Sequence, residues 1–155
     1  MLSPGDKAPD FDLPTDTGRV SLAGLKGKAV VLYFYPKDDT TGCTSEALQF
    51  SAEVEEFAKA GAVIIGVSKD SAASHGKFRK KHDLTVELAA DTLGETVEAY
   101  GSWVEKNMYG RKYMGIDRST FLIDREGVVR EVWRKVKVPN HVKAVLKAAQ
   151  ALKGS

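Results

Sequence analysis

The sequence predicts an α/β protein whose central mixed β-sheet is flanked by helices, and three observations predict it. A continuous apolar run from Ala29 to Tyr35 reads as a buried strand. A segment of helical spacing follows, and then a second buried run, Ala62 to Ser68. Strand, helix and strand joined by short turns make a right-handed parallel crossover. Farther on, the runs 119–124 and 128–133 flank Arg125-Glu126-Gly127 with the chemistry of an antiparallel β-hairpin.

Taken in order, residues 1–18 are rich in Pro, Gly and Asp, and Asp16-Thr17-Gly18 before Arg19-Val20-Ser21-Leu22 reads as a short edge hairpin. Leu25 to Lys28 is a turn into the central strand. A long helix is expected over about 43–60, with Ala47, Phe50, Val54 and Phe57 facing in and Gly61 as its stop. Asp70 or Ser71 can cap a helix over about 71–83, with Ala72, Phe78 and His82 on its inner side. Residues 86–89 read as a short strand and 93–100 as a weaker helix. The glycine- and aromatic-rich segment 101–117 reads as a structured loop. An amphipathic helix over 139–152 closes the chain. This order of elements is that of a thioredoxin-like fold, expected as one domain spanning residues 1–155.

The chain has 155 residues, enough for a sizeable core. A net charge of +2 is too small to imply a nucleic-acid or anionic-membrane partner. No run approaches the ~18 apolar residues of a membrane span. The first residues, Met1-Leu2-Ser3-Pro4-Gly5-Asp6, lack the basic-then-apolar pattern of a signal peptide, and a cytoplasmic location is expected. A single cysteine can form no internal disulfide, which fits a reducing compartment.

That cysteine, Cys43, sits where the strand gives way to the helix. Unpaired N–H groups of a first helical turn carry a partial positive charge there and favour an anion such as a thiolate. Around it, Pro36 cannot donate a hydrogen bond, and its ring can cover one side of a thiolate against water. Thr40 brings a hydroxyl that both donates and accepts, suited to orienting a polar substrate. Gly42 allows close backbone approach and leaves its N–H available. A thiolate that cleaves an O–O bond needs fixed donors to follow the charge onto the departing oxygen, and a guanidinium suits that task. A lone cysteine is otherwise more often a small buried hydrophobe; its position and its neighbours favour the reactive reading.

Pro36-x-x-x-Thr40-x-x-Cys43, within FYPKDDTTGCTSE, resembles the active-site motif of the peroxiredoxins, in their bacterioferritin comigratory protein / peroxiredoxin Q branch. The likeness continues through GDKAPDFDLP, IIGVSKDSAASHGKF and YGRKYMGIDRSTFLIDREG, and so covers nearly the whole chain. The resemblance implies the peroxiredoxin variant of the thioredoxin-like fold and a thiol-dependent peroxidase without metal, haem or flavin. The substrate implied is hydrogen peroxide or a small organic hydroperoxide. By the same resemblance Cys43 is the cysteine oxidised to sulfenic acid, Pro36 its shield and Thr40 a substrate contact. Arg118 matches the arginine brought in from a later strand, and Glu46 a supporting acidic position. An acidic group near a thiolate opposes its charge, so Glu46 is expected to orient an arginine while Arg118 and backbone amides act at sulfur.

Many members of this branch carry a second, resolving cysteine five residues on or in the following helix. Leu48 occupies the first place here, and Phe78 or Arg79 the second. Recycling therefore needs an external thiol (thioredoxin, glutaredoxin or a small thiol) or a second copy of the chain. A thiol–disulfide oxidoreductase is disfavoured, because the partner position of a Cys-x-x-Cys pair is Glu46. A redox sensor or holdase that hands its oxidation to a partner is the rival from outside enzymology. His75, His82 and His141 lack metal-ligand spacing and read as surface or satisfied helical histidines. Lys77 to Lys81 reads as a solvated helix face. Trp103, Tyr109 and Tyr113 could line the pocket or pack under the loop. A monomer is expected.

Overall fold

A computed structural model describes residues 1–153. The central sheet is built from β3 (Ala29–Phe34), β4 (Ala62–Ser68), β5 (Glu87–Ala90), β8 (Ser119–Ile123) and β9 (Val129–Trp133). Their order across the sheet is β5-β4-β3-β8-β9, with β3, β4 and β5 parallel and β8 and β9 antiparallel to their neighbours. The mixed sheet expected from the sequence is present. β3 is its middle strand and every one of its residues is buried.

Burial on both faces explains why β3 reads as an unbroken apolar run rather than an alternating one. Val31 and Tyr33, with Tyr35 just beyond the strand, face a core built with α1 (Thr41–Ala52), α2 (Val54–Lys59), α3 (Ala72–His82) and α5 (His141–Lys153). Val30, Leu32 and Phe34 face a second core closed by Phe11, Leu22, and Val97 and Tyr100 from around the short α4 (Glu95–Ala99). A two-stranded edge hairpin, β1 (Asp12–Pro14) with β2 (Arg19–Ser21), lies outside the main sheet.

Three expectations need correction. The helix expected over 43–60 begins at Thr41 and divides at Glu53, whose N–H turns back to the carbonyl of Phe50 at 3.0 Å. No glycine or proline marks that break. Segment 101–117 is not a loop but a separate antiparallel hairpin, β6 (Trp103–Met108) and β7 (Arg111–Ile116). Its turn residues Tyr109 and Gly110 have φ of 54° and 79°, two positive values in succession as in a type I′ turn. Most of the hairpin is exposed or half-buried, so its sequence carries no in–out alternation to announce strands. Tyr109 and Tyr113 are consequently exposed rather than packed beneath a loop, while Lys69 Nζ sits 4.2 Å from the ring centroid of Trp103. The third correction is on α3, where His75 and Phe78 are the buried side chains and Ala72 and His82 only partly so. Ser71 caps α3 by accepting from the N–H of Ser74 at 3.1 Å, which leaves Asp70 for another use.

Candidate active site

Cys43 is the third residue of α1, within the first turn. The helical ladder begins with the N–H of Thr44 donating to the carbonyl of Thr40 at 2.8 Å, so the amides of Thr41, Gly42 and Cys43 precede it. The residue is 1% exposed, while its neighbours Thr40 and Thr41 are exposed.

Arg118 arrives by sheet register. β8 pairs antiparallel with β3 so that Ser119 lies opposite Phe34, the last residue before the loop that leads to α1. Arg118, one residue earlier, is therefore delivered to the C-terminal end of β3, 75 positions along the chain from Cys43. Its guanidinium forks. Nη2 donates to Cys43 Sγ at 3.3 Å and Nη1 to Glu46 Oε1 at 2.6 Å. Glu46 is wholly buried one helical turn after Cys43, and its second oxygen has no hydrogen-bond partner. Burial pushes the Glu46 carboxyl up to about 7, although the Arg118 charge and hydrogen bond pull the other way. For Arg118, burial disfavours the cation, but Glu46 and Cys43 outweigh it and raise the group above its usual range.

Gly42 has a role beyond the one expected. A Cβ there would come within 3.1 Å of Arg118 Nη2 and 3.8 Å of its Cζ, so the guanidinium occupies the space a side chain would need. Thr40 is exposed at the N-cap position. Its hydroxyl does not cap the helix but donates to the Lys37 carbonyl at 2.9 Å, leaving its lone pairs to accept. Pro36 is exposed, two residues beyond the end of β3.

Lys106 on β6 was not anticipated. Burial lowers it, with Asp117 opposing and Arg118 adding to that shift, and it also feels the charge of Cys43. Reading 101–117 as a loop hid this residue, because only strand register turns Lys106 toward the site. His141, the first residue of α5, is buried against Thr120 at 2.8 Å. Burial and then the Arg118 charge bring it down to about 4. No group of three or more His, Cys, Asp or Glu among the described residues is arranged to hold a metal ion.

The AhpC/TSA family profile matches residues 4–132. The peroxiredoxin Bcp of Bacillus subtilis is 53% identical over 143 residues, covering 92% of this chain and 91% of that protein. The peroxiredoxin Bcp of Xanthomonas campestris is 47% identical over 147 residues, covering 93% and 92%. Among solved structures, the X. campestris bacterioferritin comigratory protein, studied for alkyl peroxide reduction, superposes with a TM-score of 0.88 at 45% identity over 92% of both chains. A peroxiredoxin Q mutant from Xylella fastidiosa gives 0.92 at 35% identity over 97% of both. The thioredoxin-like peroxiredoxin fold is shared with these structures, and the chain belongs to the AhpC/TSA family, in its Bcp/peroxiredoxin Q branch of thiol-dependent peroxidases.

Proposed function

We propose that this single-domain chain reduces hydrogen peroxide and small alkyl hydroperoxides by direct attack of Cys43 sulfur on the terminal peroxide oxygen. The O–O bond breaks, an S–O bond forms, and the departing oxygen leaves as water or alcohol once it takes a proton. Cys43 becomes a sulfenic acid. One observation carries this reading: the guanidinium that touches Sγ at 3.3 Å is locked by its other nitrogen to Glu46 at 2.6 Å. A donor fixed in this way does not reorganise as charge moves from sulfur to the leaving oxygen, which favours the transition state over the ground state. Thr40 accepts from the peroxide O–H, the amides of Gly42 and Cys43 supply further donors, and the exposed ring of Pro36 narrows the approach of water.

With one cysteine in the chain, the sulfenic acid is resolved from outside. An external thiol attacks the sulfenic sulfur, expels water and forms a mixed disulfide. A second thiol then attacks the reductant's sulfur in that mixed disulfide, releasing Cys43 as the thiol, and the two external thiols leave joined as a disulfide. The reductant class is thioredoxin, glutaredoxin or a low-molecular-weight thiol, the protein works as a monomer, and a reducing compartment such as the cytoplasm suits it. No helix among the described residues is long and apolar enough to cross a membrane.

Stopped-flow measurement of the second-order rate of Cys43 oxidation, followed by mass spectrometry with candidate thiols, tests the scheme. The expected result is oxidation far faster than an ordinary free thiol, then a mixed-disulfide adduct and return to the thiol. One turnover without recovery by any thiol would leave a stoichiometric sensor instead.

A further inference from the structure

We propose that the buried Asp38–His75 pair is the positioning device of the peroxidase site. Through it α3 grips the loop between β3 and α1, and so sets where Thr40 and the first amides of α1 meet the peroxide. This inference rests on the assignment of Cys43 as the nucleophile.

The loop carries no strand or helix of its own, and α3 holds it by side chains. Asp38 Oδ1 accepts from the Tyr35 hydroxyl at 2.6 Å. Oδ2 accepts from the Ser74 hydroxyl at 2.8 Å and faces His75 Nδ1 at 2.7 Å. On the far side of the ring, His75 Nε2 meets the carbonyl of Ala89, in β5, at 2.9 Å. The Ala89 carbonyl can only accept, so ring Nε2 donates to it, and Nδ1 is left to share a hydrogen bond with Asp38 Oδ2. The backbone is held as well, since the N–H of Asp38 donates to Asp70 Oδ2 at 2.8 Å. The side chains of His75 and Asp38 are 0% and 5% exposed, so the pair is sheltered from the screening that weakens surface ion pairs.

Two turns along α3, His82 Nε2 and Lys81 Nζ hold Asp39 at 2.8 and 2.6 Å. Asp39 has φ of 60°, and the next residue is Thr40. Consecutive aspartates of the loop are thus gripped at two points of one helix, two turns apart. Asp39 is exposed, so the buried grip on Asp38 is the one that matters. None of Asp38, His75 or Ser74 hydrogen-bonds Cys43 or Arg118, so their bonded connection to the site runs through the loop.

The test compares two rates on the whole chain. Peroxide oxidation needs donors placed for the peroxide oxygens. Alkylation of Cys43 by iodoacetamide needs only the thiolate and access to it. In H75Q the amide takes the place of ring Nε2 and loses Asp38, whereas in H75N it takes the place of Nδ1 and keeps it. H75Q and D38N should slow peroxide oxidation by about tenfold to a hundredfold while alkylation stays within about twofold. H75N should recover most of the peroxide rate. Where H75Q does not fold, D38N and S74A carry the same comparison. Equal behaviour of H75N and H75Q, unchanged peroxide rates, or a parallel fall in both rates would each overturn the proposal. The wild-type rate tests the Cys43 assignment separately. A rate no faster than an ordinary thiol refutes that assignment and the clasp with it, whereas a fast wild type beside equally fast H75Q and D38N refutes the clasp alone.

Discussion

Gly42 and Arg118 share one space: the Cβ that any other residue would bring at position 42 falls 3.1 Å from Arg118 Nη2. A hydrogen at Gly42 therefore lets the guanidinium lie against the first turn of α1, where it can reach both Cys43 and Glu46. In G42A either the arginine or the turn must shift by a few tenths of an ångström. Stopped-flow oxidation by hydrogen peroxide should slow by about tenfold, equivalent to ~1.4 kcal/mol of transition-state stabilisation. An unaltered rate in G42A would mean that the close approach is incidental.

Arg118 works as a fork, and its two arms separate experimentally. R118A should lower the peroxide rate constant by about 10²–10³, the scale of losing one fixed donor to a developing oxyanion. R118K should recover little, because a single ammonium cannot span Sγ and Glu46 in one plane. A lysine variant equal to wild type would show that charge alone suffices.

Glu46 makes stability depend on pH in an unusual direction. Its carboxyl is raised from 4.5 to about 7, so the folded chain holds that proton more tightly than the unfolded chain does. Its favourable contribution is complete below about 4.5 and is lost as pH rises toward 7, on the order of 3 kcal/mol. His141, brought down from 6.5 to about 4, runs the other way, with a contribution complete above 6.5 and lost as pH falls toward 4. The two oppose each other in the wild type. Urea denaturation from pH 4.5 to 7 should show E46Q gaining stability relative to wild type as pH rises; parallel profiles would contradict the burial effect on Glu46.

Tyr33 buries a hydroxyl that has no hydrogen-bond partner, directly over Gly66. Deleting that oxygen in Y33F removes an uncompensated desolvation and should stabilise the fold by about 1 kcal/mol. G66A should do the reverse, because its Cβ would meet Tyr33 Cζ at 2.6 Å. Thermal melts of the two variants moving in opposite directions check this.

The sequence by itself determined the parallel crossover, the place of Cys43 at the strand–helix junction and the absence of a second thiol. These follow from local pattern: a β3 buried on both faces has to be apolar throughout, and α1 declares itself by its spacing. The motif also pointed to Arg118. What only the tertiary structure decided is where distant polar groups come to rest. The motif marked Glu46 as an acidic residue expected to orient an arginine, but its local sequence does not reveal that its face turns into the core against Arg118, 72 positions away. Asp38 and His75 read as a loop aspartate and a helical histidine, yet packing α3 beside β5 brings them to 2.7 Å in a buried pair. The β6–β7 hairpin stayed hidden because its strands are mostly exposed and carry no alternation for burial to write into the sequence. Hydrophobic pattern records which faces are buried; it does not record which charged groups burial will bring together, because that depends on long-range register such as Phe34 opposite Ser119.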